Sequence, residues 1–184
     1  MEKELQPKFV VQPMTVDDVG GATAMRMQAW RGTYRNDELG VTAEWLDEII
    51  AEELSDERMT ERAQRFGKGG SVGWVARDVT GKIIGVSMPF VMDDGTQRLG
   101  GLYVGKEWYG KGVGASLIQK ALAWHDLRKP IIPGVASYNE RAKAFYRKYG
   151  FVEISDSVEM FRGKIPTVRM IRKPTKEVSD GDRN

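Results

Sequence analysis

Leu99–Leu117, LGGLYVGKEWYGKGVGASL, is the stretch whose reading decides the fold. It begins as a strand, enters a glycine-rich turn and opens directly into a helix. Gly110, Gly112 and Gly114 carry no Cβ, so the backbone can turn tightly there and bring its N–H groups close to a bulky anion. The free N–H groups and the positive dipole end of the new helix favour phosphate. The stretch therefore reads as a diphosphate cradle.

Several cradles share this chemistry. A Walker loop is excluded, because neither Gly-Lys-Ser nor Gly-Lys-Thr occurs in the chain. The strict dinucleotide fingerprint G-x-G-x-x-G fails at Ala115, whereas its relaxed form, with Ala in the last place, is met. Position decides between them: a dinucleotide fold usually opens with its cradle, and this one lies past the middle of the chain. The loop resembles the coenzyme A loop of the GNAT N-acetyltransferase superfamily, motif Q/R-x-x-G-x-G/A, which falls here on Tyr109-Gly110-Lys111-Gly112-Val113-Gly114. Tyr109 stands where Gln or Arg is usual.

A second motif follows about one βα unit downstream, in Ser137–Phe151, SYNERAKAFYRKYGF. Asn139 is a good helix N-cap and Gly150 a good C-cap, with Ala142, Phe145, Tyr146 and Tyr149 at helical spacing between them. The segment is similar to the superfamily's N-x-x-A-x-x-F-Y-x-x-x-G-F pattern. Two motifs in the right order and spacing are far more specific than one glycine loop.

Composition fits the same picture. The chain has 184 residues, 41% hydrophobic and 29% charged, which suits one domain with an adequate core. A net charge of +2 does not call for nucleic acid as partner. No apolar run approaches the ~18 residues of a membrane span, and Met1–Pro7 lacks the apolar core of a signal peptide. The expected location is therefore cytoplasmic. Zero cysteines exclude disulfides, thiolate metal sites and a cysteine nucleophile. With His125 as the one histidine, no metal site is expected, and this residue reads as a capping or dipole-matching group.

The pattern of elements predicts a strand at Phe9–Pro13, then a helix from the Thr15/Asp18 capping box to about Trp30. A second helix spans 42–54, continued or followed by a short piece to Phe66, and 67–70 form a loop. Strands are expected at Val72–Arg77, Ile83–Val91 and Gln97–Val104, then a helix at Gly112–Asp126. Ile131–Ala136 follows as a strand with Pro133 inside it, then a helix at Glu140–Tyr149 and strands at Phe151–Glu159 and Thr167–Arg172. This order resembles the GNAT arrangement, which implies an α+β fold: a mostly antiparallel central sheet flanked by helices. Residues 1–173 are expected to form one domain, and 174–184 a polar, disordered tail.

The resemblance implies acetyl-CoA as co-substrate and transfer of its acetyl group to a primary amine by direct attack in a ternary complex. In such enzymes the strand before the cradle bulges, and the pantetheine arm pairs with its backbone. That role falls on Leu102, Tyr103 and Val104, with Gly100 and Gly101 supplying the distortion. The diphosphate falls to Gly110, Gly112 and Gly114 with the neighbouring Tyr109, Lys111, Val113 and Ala115. Asn139 caps its helix and in the resemblance also contacts the pantetheine region. Tyr146 matches the family's general acid, a phenol that can protonate the departing thiolate. The strand Gln97–Val104 carries no carboxylate, so no general base is assigned.

On the acceptor side, Trp30 and Tyr34 lie four apart and would share a helix face, although both could equally be core. Glu107 lies in the loop beside the cradle. Residues 37–57 hold nine carboxylates and no Lys or Arg, which reads either as an acidic rim for cationic amines or as a solvated helix face. Small amines, aminoglycosides, peptide N-termini and protein lysines all fit, and a homodimer is possible. A non-catalytic acyl-CoA-binding regulatory module is the alternative function. A nucleic-acid-binding domain using Arg141–Lys148 is disfavoured by the near-neutral charge.

Overall fold

The computed structural model describes residues 8–68 and 71–174. The chain runs β1 (Phe9–Pro13), α1 (Val19–Tyr34), α2 (Ala43–Glu53), α3 (Asp56–Arg65), β2 (Trp74–Asp78), β3 (Ile83–Val91), β4 (Gln97–Val104), α4 (Val113–Trp124), β5 (Ile131–Ala136), α5 (Glu140–Arg147), β6 (Phe151–Glu153), β7 (Glu159–Phe161) and β8 (Ile165–Arg172). The strands form an eight-stranded sheet in the order β1-β2-β3-β4-β5-β8-β6, with β7 paired to β8. β4 and β5 are parallel and the other pairs antiparallel. The fold is the expected mostly antiparallel sheet with helices on both faces. Among the described residues, no helix is long and apolar enough to cross a membrane.

Local chemistry explains most boundaries. The Thr15/Asp18 capping box is present and starts a short 3₁₀ turn that runs into α1. Thr42, Ser55 and Asn139 cap α2, α3 and α5 by accepting a backbone N–H with their side chains. The Ser55 cap makes α3 a separate helix and not an extension of α2. The expected strand Phe151–Glu159 is also divided. Asp156 sits at φ 55°, and the Ser157 hydroxyl, donating to the Ile154 carbonyl and accepting from the Arg169 N–H, takes the place of a strand partner. β6 and β7 therefore pair separately with the two ends of β8. Tail residues 175–184, loop residues Gly69 and Gly70, and Met1–Pro7 lie outside the described residues.

On one face, α4 and α5 cover the sheet through Leu99, Ile118, Ala121, Tyr146, Phe151 and Met170. On the other, α1 and α2 cover it through Met27, Trp30, Leu46, Ile50, Ala136 and Ile165. Gly85 lets α4 lie close on β3, since a Cβ there would stand 2.9 Å from Leu117 and Val113 side-chain carbons. His125 is the C-cap residue of α4, but burial lowers its pKa and favours the neutral ring, so dipole matching by a cation does not apply.

Among the described residues, four of the nine carboxylates in the acidic run are held in ion pairs. Asp37 pairs with Arg35, Asp47 with Arg31, and Glu52 with Arg58 and Arg162. Glu53 is buried and receives three guanidinium groups, from Arg26, Arg62 and Arg162. That node fastens α1, α2 and α3 to the turn between β7 and β8. Glu53→Ala leaves three arginines around an empty site and is expected to lower the unfolding free energy by about 3 kcal/mol. Urea denaturation measures this; an unchanged midpoint would mean that the arginines re-solvate freely.

Candidate functional site

The site begins where the sheet comes apart. β4 and β5 pair only at Gln97–Ile131, Arg98–Ile132 and Leu99–Pro133. Pro133 has no N–H to donate, and pairing stops there. On the other side of β4, Ser87 faces Leu102 and Pro89 faces Leu99, so Gly100 and Gly101 together oppose Met88. This is a β-bulge with its extra residue on β4, at the two glycines where sequence placed a distortion. Beyond it, the β5-facing backbone of Gly100–Val104 has no strand partner among the described residues, while Gly134–Ala136 turn to β8. The opening between them is a cleft of about 870 Å³.

One end of the cleft is the glycine loop. Gly110 and Gly112 adopt φ +74° and +87°, a region that side chains with a Cβ rarely adopt. Gly112 is the N-cap of α4 and gives it no side-chain cap, so the first helical N–H groups are free to face a ligand. Gly110, Gly112, Gly114 and Ala115 line the cleft; a Cβ on Gly114 would lie 3.3 Å from the Phe145 ring. Val113 is instead fully buried beneath the loop, and Lys111 sits over the Trp108 ring at 5.2 Å. Tyr109 lines the cleft with the Arg141 guanidinium stacked 3.8 Å above its ring centre. Arg141 and Lys148 also line the cleft, and sequence reading did not assign them here. The signal was available only as a gap: Tyr109 stands where the family motif has a polar side chain, and the Arg141 guanidinium, from α5, lies over its ring.

The middle of the cleft is lined by tyrosines. Tyr146 is buried at 6% exposure, and its phenol pKa is raised, first by burial and then by Tyr103. Its hydroxyl makes no hydrogen bond among the described residues, so the proton it holds is uncommitted. Tyr34 and Tyr103 share a 2.8 Å hydrogen bond between hydroxyls, and the Tyr138 hydroxyl donates to the Tyr34 carbonyl at 2.6 Å. Burial raises the Tyr34 pKa, with Tyr103 adding to it. Leu102, Tyr103, Val104 and Asn139 also line the wall, and the Asn139 Oδ1 accepts from the Ala142 N–H at 3.0 Å.

Two expected acceptor residues lie elsewhere. Trp30 is a core residue packed edge-on behind Tyr34 (5.1 Å) and Phe161 (5.6 Å), and it does not line the cleft. Glu107 is exposed in the turn after β4 and is not part of the wall. None of the nine carboxylates of residues 37–57 lines it either. Phe90, Arg98 and Phe161, which sequence did not single out, do.

Residues 69–153 match the family model of the acetyltransferase (GNAT) domain. An uncharacterized N-acetyltransferase of Mycobacterium tuberculosis is 39% identical over 75 residues, covering 39% of this chain and 47% of that protein. The match thus spans about half the length of the curated relatives. The crystal structure of PaiA N-acetyltransferase from Thermoplasma acidophilum, in complex with coenzyme A, is similar with TM-score 0.69 and 20% identity, over 90% of this chain and 98% of that one. Spermidine N-acetyltransferase from Vibrio cholerae, in complex with CoA and spermine, is similar with TM-score 0.63 and 19% identity, over 90% and 95%.

The bulge has no room for a side chain. A Cβ on Gly100 would stand 2.6 Å from the Phe90 ring and 2.7 Å from the Met88 carbonyl oxygen. Gly100→Ala is expected to cost roughly 1–3 kcal/mol of stability as β4 shifts. Chemical denaturation reads this, and an unchanged stability would mean that the Phe90 ring swings aside without cost.

Proposed function

We propose that the chain, which belongs to the GNAT superfamily by its matched domain and its fold, transfers an acetyl group from acetyl-CoA to a primary amine by direct attack in a ternary complex. Residues 1–173 act in this reading as one domain. The observation that carries it is the splayed cleft, which joins unpaired β4 backbone, a glycine-rich helix start and a buried, uncommitted phenol in one cavity.

Coenzyme A suits these residues. Its diphosphate would rest on the amides around Gly110, Gly112 and Gly114, where φ +74° and +87° exclude most other residues. Its pantetheine amides would pair with the backbone of Leu102, Tyr103 and Val104, which lacks a strand partner. Arg141, held flat on Tyr109, offers a fixed cation to the phosphates in place of the usual motif side chain. Lys111, Val113 and Ala115 contribute backbone, and Asn139 holds the start of α5 at the wall.

Bound acetyl-CoA supplies an activated thioester carbonyl and a thiol leaving group. Tyr146 keeps its proton because burial raises its pKa, and donates it to sulfur as the carbon–sulfur bond breaks. The acceptor nitrogen forms the new bond to the carbonyl carbon and gives its own proton to water, and water returns a proton to the Tyr146 phenolate once the thiol has formed. The Tyr34 hydroxyl, whose pKa burial raises, shares a hydrogen bond with the Tyr103 hydroxyl in the same wall, and the cleft walls would fix the two reactants in one orientation.

Acetyl-CoA-dependent thiol release with a panel of amines tests the activity, with calorimetric acetyl-CoA binding on the same sample. Release together with binding is the expected result. Tight binding without release for any amine would favour the regulatory binding module, and absence of binding would remove the reading altogether. Tyr146→Phe is expected to lower kcat about 100-fold with acetyl-CoA affinity unchanged; an unchanged kcat would remove Tyr146 as the acid. Gly112→Asp is expected to abolish acetyl-CoA binding, by strain at its positive φ and by charge repulsion. As pH rises, the rate is expected to climb while the amine deprotonates. It should not fall near the ordinary phenol range, because the Tyr146 pKa lies above it.

A further inference from the structure

The far end of the cleft from the glycine loop ends on a cation. Leu99 packs against Ile118 and Ala121 on the α4 face of the sheet, so its neighbour Arg98 lies on the opposite, α1 face, where it lines the cleft with Phe90 and Phe161. Arg98 is half-buried, and its guanidinium makes no hydrogen bond or ion pair among the described residues. Burial lowers its pKa, and the neighbouring positive charge of Arg169 lowers it further. Arg169 has its own partner: it donates to Glu159, so the one carboxylate in the cleft wall among the described residues is already engaged. The acidic run that might have drawn cationic amines lies outside the wall, with Asp37, Asp47, Glu52 and Glu53 bound to arginines.

A half-buried guanidinium without a counter-ion has lost hydration and gained nothing in exchange. Its planar fork matches a carboxylate in two parallel hydrogen bonds. Arg98 stands three positions before Gly101, roughly 10 Å along the strand, beyond the bulge from Leu102 and Tyr103. A small acceptor could therefore span both, its amine beside the tyrosines and its acid on Arg98. Resting on the acetyl-transfer reading above, we infer that Arg98 selects an acceptor that carries a carboxylate as well as its amine, an ω-amino acid type of compound and not a polyamine.

The test compares kcat/KM for ω-amino acids of two to six carbons with that for their methyl esters, putrescine and spermidine. For at least one chain length, the free acid is expected to be preferred at least 10-fold over its ester and over both polyamines. Arg98→Met is expected to bring acid and ester to near parity through a higher KM for the acid, with acetyl-CoA affinity and melting temperature retained. Arg98→Lys keeps the charge but not the fork, and is expected to keep part of the preference. Esters or polyamines used as well as the acids would overturn the inference, as would a preference that survives Arg98→Met. If the Met variant fails to fold, the Lys variant decides: a preference undiminished from wild type counts against the two-bond contact. Calorimetry separates the two levels. Acetyl-CoA bound with no acid-bearing amine acetylated overturns this inference alone, whereas no acetyl-CoA binding overturns the acetyl-transfer reading on which it rests.

Discussion

The parting of β4 from β5 after Leu99 and Pro133 is the constraint on which the cleft depends. Two local features enforce it from opposite sides. Pro133 removes a donor from β5 at the last paired position, and the bulge at Gly100–Gly101 turns β4 against Met88. The bulge is compact because Gly100 lies against the Phe90 ring and the Met88 carbonyl at distances no Cβ would allow. Backbone groups freed in this way need partners, and a cleft open to a ligand or to water can provide them. The helix that follows is aimed by the same economy of side chains. Gly85 brings α4 close under β3, so its uncapped start, at Gly112, opens beside the freed strand.

The opposite face is held by charge. Glu53 collects Arg26 from α1, Arg62 from α3 and Arg162 from the turn before β8. One buried carboxylate on α2 thereby ties α1, α3 and the turn before β8 to each other, and the arginines compensate its desolvation. The consequence reaches the cleft. Arg162 adjoins Phe161, which lies 5.6 Å from Trp30 and 6.4 Å from Tyr34, ring centre to ring centre. The wall around Tyr34 and Phe161 is thus braced by an ion-pair node outside it, and Glu52 and Glu53, which look like part of a binding rim in the sequence, serve as anchors.

What could be read in the sequence was local. The glycine loop, the Thr15/Asp18 box, the Asn139 cap and the bulge glycines each announce a backbone conformation through residues adjacent to one another. What could not be read depends on distant partners. The division of β6 from β7 turns on Ser157 meeting Arg169 across 12 residues. Trp30 and Tyr34 share a helix face, yet only packing against Phe161 decides that Tyr34 reaches the cleft and Trp30 stays behind it. Arg141 lies on Tyr109, and Arg98 goes unpaired, for reasons that no window of sequence contains. Position along the chain placed Glu107 beside the cradle, but the short turn carrying it faces solvent.

Charge along the cleft is unevenly distributed, and the distribution bears on the chemistry proposed for it. Arg141 lies on Tyr109 at the glycine-loop end and Arg98 at the other, while Tyr34, Tyr103 and Tyr146 line the stretch between. Burial raises the pKa of Tyr34 and of Tyr146, so both remain neutral where an isolated phenol would begin to ionise. The Tyr34–Tyr103 hydrogen bond fixes two of these rings across α1 and β4, and Tyr138, in the loop before α5, donates its hydroxyl to the Tyr34 carbonyl. A fixed, neutral donor in a poorly solvated wall interacts strongly with a charge that appears only during reaction, and needs little reorganisation when it does. A cation at the same place would hold any anion, including one that should leave. The two ends of the cleft are suited to binding through permanent charge, and its centre is suited to transfer because it has none.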